Sequence, residues 1–178
     1  MSKVHAPAKP GEYFYGHANC GYASTYVLPA IQKFLSGLPA DAVVADAGCG
    51  NGSMLAALRK PGWELHGLEI SSSGLQQAKQ NFPEARYHEV DLAQDAAPPE
   101  LVGRCDVVIT TEVIEHVFLP RVFVRNCGDL LKDFGMLIVS TPYHGYAKTC
   151  CSHSVADLIA ISLLYGTSDT LNSGRGGL

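Results

Sequence analysis

The chain has 178 residues, 47% hydrophobic and 17% charged, with a formal net charge of -4. That is enough length and apolar content for one domain with a substantial core, and the acidic balance lacks the broad basic footprint of a nucleic-acid binder. No run of about twenty apolar residues offers a transmembrane helix, and residues 1–10 lack the apolar core of a signal peptide, so a cytoplasmic location is expected. The six cysteines show no Cys-x-x-Cys spacing, which speaks against a zinc site and a disulfide framework alike.

Residues 1–39 read as an irregular leader, broken by Pro7, Pro10 and Gly11, followed by a covering helix over 22–38 with Pro29 as a kink. Tyr13, Phe14 and Tyr15 form an aromatic run that either lines a pocket or simply packs. From residue 40 onward, strand and helix patterns alternate. Strands are predicted at 42–47, 64–69, 86–90, 105–111 and 135–140, with helices at 52–60, 72–81 and 120–132. Alternation of this kind implies an α/β fold, a doubly wound, Rossmann-like parallel sheet with helices on both faces. A ligand would lie at the carboxyl ends of the strands, where strand order reverses.

Asp46-Ala47-Gly48-Cys49-Gly50-Asn51-Gly52 follows the first strand, and Glu69 ends the second. Glycines at alternate positions let the backbone turn tightly and let a ligand approach the main chain, while a carboxylate about twenty residues on suits a ribose diol. The dinucleotide fingerprint fits poorly, because the third glycine falls one place early and Ser53 stands where it belongs. Asp46, two places before the first glycine, would repel a pyrophosphate and favour a ligand carrying positive charge. Cys49, inside the turn, reads as a space filler rather than a nucleophile.

Glu112-Val113-Ile114-Glu115-His116 follows the fourth strand directly. If the segment starts a helix, Glu112, Glu115 and His116 fall at i, i+3 and i+4 on one face and can hold a divalent metal such as magnesium. Without a metal, His116 is a candidate general base; a purely structural role is the third reading. His144, just past the fifth strand, is a second candidate to reach an acceptor.

At these positions the chain resembles the class I S-adenosylmethionine-dependent methyltransferases, whose first motif has the form acidic-x-Gly-x-Gly-x-Gly. The resemblance extends to Asp91, to residues 105–112 and to residues 134–142, which look like the next strand introduced by a tight turn, and it covers about 40–146. It implies S-adenosyl-L-methionine as cofactor, with Asp46 at the methionine end and Gly48, Gly50 and Gly52 giving backbone access. Glu69 and the adjoining Ile70 would meet the ribose, Asp91 and Leu92 the adenine, and Thr111 and Glu112 would complete the site. The 112–116 segment is similar to that of ubiquinone-biosynthesis O-methyltransferases and small-RNA 3′-terminal 2′-O-methyltransferases, where the equivalent residues bind a metal. The implied activity is O-methylation of a small-molecule acceptor, quinone-like or lipidic. Alternatives are a non-catalytic binding module of the same fold and a nicotinamide-dependent dehydrogenase.

Residues 147–178 form an atypical tail. Class I methyltransferases end with two further strands, the last antiparallel, and neither is visible here, so the sheet is expected to lack them. The fifth strand would then have an open edge, cofactor binding would weaken, turnover would be poor and the edge would promote aggregation. Back-translation from Cys150 to Gly174 in a shifted frame permits a stretch including Phe-Asp-Arg-His-Phe-Thr-Pro-Leu-Trp-Asp, which looks like the tail of ubiquinone-type methyltransferases. A reading-frame shift near residue 148 would account for the tail; the alternative is a natural short tail with an amphipathic helix over 155–164.

Overall fold

A computed structural model describes residues 23–143 and 155–162. In chain order the elements are α1 (Ala23–Phe34), β1 (Val43–Ala47), α2 (Ser53–Leu58), β2 (Glu64–Glu69), α3 (Ser72–Asn81), β3 (Arg86–Glu89), β4 (Cys105–Thr111), α4 (Pro120–Asp129), β5 (Leu131–Tyr143) and β6 (Val155–Ser162). They build one six-stranded sheet in the order β3-β2-β1-β4-β5-β6. The first five strands pair in parallel, and strand order reverses between β1 and β4.

The central strands read as unbroken apolar runs because both faces are covered. Alternate residues go to opposite sides: Val44, Ile109 and Ile138 pack with Ile31 of α1 and Leu55 of α2, whereas Ala45, Val108 and Leu137 pack with Phe123 and Cys127 of α4. Each such leucine or isoleucine contributes about 1.5–3 kcal/mol through burial.

Two of the predicted helices are shorter than their apolar patterns, whereas α3 spans the predicted 72–81. The 52–60 helix contracts to α2, with the chain extended at Arg59 and turned at Gly62, where a β-carbon would meet Ala40 O at 2.5 Å. The 120–132 helix ends at Asp129, since Leu131 already pairs with Cys105 on β4. Residues 132–135 then detour, with Phe134 in the left-handed region (φ 62°), before Met136 rejoins opposite Val107. The tight turn read at Phe134–Gly135 is this bulge.

The expectations of an open β5 edge and of a helix over 155–164 are both corrected. β6 runs antiparallel along β5, with Met136 opposite Ser162 and Tyr143 opposite Val155. A free row of backbone donors and acceptors on β5 outweighs the weak helical pattern of a segment rich in Val and Ile. One antiparallel strand therefore closes the edge where two further strands were expected to be missing.

The amino-terminal part of the sheet is densely paired. Asp106 accepts from Val43 N at 2.9 Å and is ion-paired with Lys132, carried by the bulge. Glu64 meets His66 Nε2 at 2.9 Å and also pairs with Arg86 and Arg104. His66 Nδ1 lies 3.0 Å from His88 Nε2, and His88 Nδ1 lies 3.4 Å from Glu100 Oε1. Among the described residues, no helix is long and apolar enough to cross a membrane.

Candidate cofactor-binding site

The glycine turn sits at the carboxyl end of β1, beside the switch in strand order, with Gly48, Gly50 and Gly52 all at positive φ. Gly48 N and Cys49 N donate to Leu68 O at 2.8 and 3.1 Å, tying the turn to β2. A β-carbon on Gly48 would lie 2.5 Å from Val113 Cγ2, so glycine is what lets the segment after β4 close over the turn. Glu69 completes the link: its two carboxylate oxygens accept from Gly50 N and Ser71 N, each at 2.8 Å.

Two carboxylates are thus buried at the ends of β1 and β2. Asp46 is 2% exposed, and neither of its oxygens has a hydrogen-bond partner among the described residues. Burial, and then the charge of Glu69, push its carboxyl up to about 7. Burial also raises Glu69, against the lowering effect of the backbone donors from Ser71 and Gly50. Cys49 is pushed well above the usual thiol range by burial and then by Asp46 and Glu69, which fits a space filler. Among the described residues, the Thr110 and Thr111 hydroxyls at the end of β4 are buried without hydrogen-bond partners. Unpaired buried polar atoms are costly, and a cationic ligand with hydroxyl and amine groups would relieve that cost.

The 112–116 segment does not start the expected helix. Glu112 adopts left-handed φ (56°), and only a three-residue 3₁₀ turn follows, Ile114–His116. Glu112 N donates to Ser140 O at 3.1 Å, and its carboxylate accepts from Ser140 Oγ at 3.0 Å. Glu115 accepts from Thr141 Oγ1 at 3.3 Å. His116 points outward, its side chain 79% exposed and its Nε2 4.0 Å from Glu115. Because β4 ends in a left-handed residue, the i, i+3, i+4 geometry is lost and the carboxylates turn to β5. Among the described residues, no group of three His, Cys, Asp or Glu side chains could hold a metal ion. The Glu112, Glu115 and His116 set therefore does not fit a metal.

Asp91 is engaged locally, accepting from Ala93 N at 2.9 Å and Gln94 Nε2 at 2.6 Å. Leu92 is a core side chain, and its carbonyl accepts from Asn126 Nδ2 at 2.9 Å; Ile70 is half-buried beside Glu69. Asn126 and Ser140 escaped the sequence reading. Asn126 was detectable as a polar residue on the buried face of α4, between Phe123 and Cys127. His144, the aromatic run at 13–15, and most of the leader and tail lie outside the described residues.

The family described as "Methyltransferase domain" matches residues 45–137, and the chain belongs to it. Among curated proteins, it is 32% identical over 100 residues to a ubiquinone biosynthesis O-methyltransferase of Marinobacter nauticus, covering 54% of this chain and 42% of that one. The Coxiella burnetii protein of the same name is 31% identical over 130 residues, covering 71% and 54%. The chain thus spans about half the length of these relatives or less. Among solved structures, a TehB-like S-adenosylmethionine-dependent methyltransferase from Corynebacterium glutamicum matches with TM-score 0.58 and 23% identity, covering 70% of this chain and 68% of that one. Haemonchus contortus phosphoethanolamine N-methyltransferase 2, in complex with S-adenosyl-L-methionine, gives TM-score 0.58 at 20% identity over 67% of this chain and 29% of that one. The likeness to both structures is one of fold: the class I methyltransferase α/β sheet.

Proposed function

We propose that the chain is an S-adenosylmethionine-dependent methyltransferase acting on an oxygen of a small acceptor, quinone-like or lipidic. The observation that carries this reading is Asp46: a buried carboxylate with no hydrogen-bond partner among the described residues, at the switch point of the sheet, beside a glycine turn. It suits the cationic end of the cofactor and disfavours the pyrophosphate of a nicotinamide dinucleotide. Glu69, held by Gly50 N and Ser71 N, keeps lone pairs for the ribose hydroxyls. The backbone at Gly48, Gly50 and Gly52 receives the adenosyl moiety, with Thr111 and Glu112 beside it, while Asp91 and Leu92 approach the adenine.

S-Adenosylmethionine supplies a methyl group on a sulfonium that is already a good leaving group, so alignment is most of what the protein must provide. In this reading His116, exposed just past the carboxyl end of β4, takes the acceptor hydroxyl proton. The oxygen preference draws on the names of the curated relatives, which the chain matches over part of their length. The tail beyond about residue 148 is read as out of frame, and sequencing the gene there tests it. Calorimetry with S-adenosylhomocysteine and NAD, then transfer of a labelled methyl to phenolic acceptors with and without magnesium, tests the function. Binding of NAD alone would sink the reading, and binding of S-adenosylhomocysteine without transfer to any acceptor would favour a binding module.

A further inference from the structure

The polar groups at the carboxyl end of the sheet fall on one face. Ile109 and Ile138 face α1 and α2, and Asp46 stands opposite Ile109 in register. Thr111 and Ser140, paired across β4 and β5, come two residues later and so share that face. Ser140 is 1% exposed and grips Glu112 twice, through its carbonyl and its hydroxyl. Glu112 is held in a backbone conformation that side chains rarely adopt, and the next residue, Val113, rests on Gly48 of the glycine turn. Strain of this kind persists where the surroundings over-determine it, and it concentrates at functional sites.

We propose that Ser140 is a positioning residue. It fixes the Glu112 carboxylate as a second acidic group at the carboxyl end of the sheet, on the same face as Asp46, so that the site prefers the charged cofactor to its neutral thioether product. This rests on the cofactor reading above. S-Adenosylmethionine carries a sulfonium and S-adenosylhomocysteine does not, so a carboxylate held at that end weights the site towards the substrate form and favours product release. Ser140 touches no ligand; it acts through Glu112. Burial raises the Glu112 carboxyl, and the Ser140 hydrogen bond works against that rise.

The test is to titrate the full 178-residue chain with S-adenosylmethionine and with S-adenosylhomocysteine, and to follow thermal unfolding of each variant. Glu112→Gln should reduce the preference for the charged ligand by about tenfold, and Ser140→Ala by about threefold to tenfold. Affinity for S-adenosylhomocysteine should stay within about twofold of wild type in both. Ser140→Thr, which keeps the hydroxyl, should restore the preference. Glu112→Gly accepts the left-handed backbone without strain, so it should unfold no earlier than wild type yet show the same loss of preference as Glu112→Gln. Equal weakening of both ligands in Ser140→Ala, or an unchanged ratio in Glu112→Gln, would overturn the proposal while leaving the cofactor reading intact. A wild-type chain that binds neither ligand would remove the cofactor reading itself.

Discussion

The two ends of the same sheet are built on opposite principles. Near the amino ends, charged groups have partners: Asp106 serves Val43 N and Lys132, and Glu64 gathers His66, Arg86 and Arg104. At the carboxyl ends, Asp46 and the threonine hydroxyls of β4 are buried with none among the described residues, and Glu112 is strained. One end closes the fold; the other holds unmet polar capacity that a ligand can complete. Where local rules are broken without compensation from the protein itself, function is the usual reason.

The comparison breaks if substitutions at the two ends have the same consequences. Asp106→Ala strips Val43 N of its acceptor and Lys132 of its counter-ion, and should cost about 2–3 kcal/mol in chemical denaturation. Cofactor affinity of the folded fraction should not change.

Asp46→Asn should do the reverse. At pH 8 the wild-type carboxylate is ionised and unpartnered, so the amide should raise stability by about 1–2 kcal/mol while weakening S-adenosylmethionine at least tenfold. The pH dependence carries the same signature. Unfolded, the carboxyl releases its proton near 3.8; folded, it holds it to about 7. The Asp46 contribution to stability is therefore most favourable below the lower value, declines between the two, and is flat above the upper one. Cofactor affinity should move the other way, strengthening as pH rises towards 7. Denaturation and titration curves of wild type and Asp46→Asn across pH 4–8 read both trends.

Arg59→Ala sharpens the contrast from the weak side. Its pair with Glu84 at 2.8 Å is 59% and 39% exposed. Loss should stay within about 0.5 kcal/mol in denaturant titration.

The succession of parallel strands, the two-sided core and the glycine turn were legible because each has a local signature: apolar runs, turn residues, a carboxylate at a fixed offset. Glu112 misled because its spacing to Glu115 and His116 suits a helix, whereas the twist in which β4 ends is decided by its grip on Ser140. That grip is invisible in sequence, since Ser140 lies 28 residues away and only the β4–β5 register brings the two together. The end of α4 was overread because the apolar pattern continues into Leu130 and Leu131, where pairing with Cys105 takes over from helix. β6 was missed for a related reason: a neighbouring edge, rather than its own pattern, makes it a strand.

The histidine pair fixes a count of protons. Glu64, His66, His88 and Glu100 make three successive contacts through four ring nitrogens. Carboxylates only accept, so both outer nitrogens need a hydrogen and the inner contact needs one more, three in all, where two neutral rings supply two. Burial lowers both rings below the ordinary imidazole range, opposed by Glu64 at His66 and by Glu100 at His88. The third proton therefore arrives only on acidification, and when it does, one shared positive charge stitches β2, β3 and the turn at Pro99–Leu101 into a single relay.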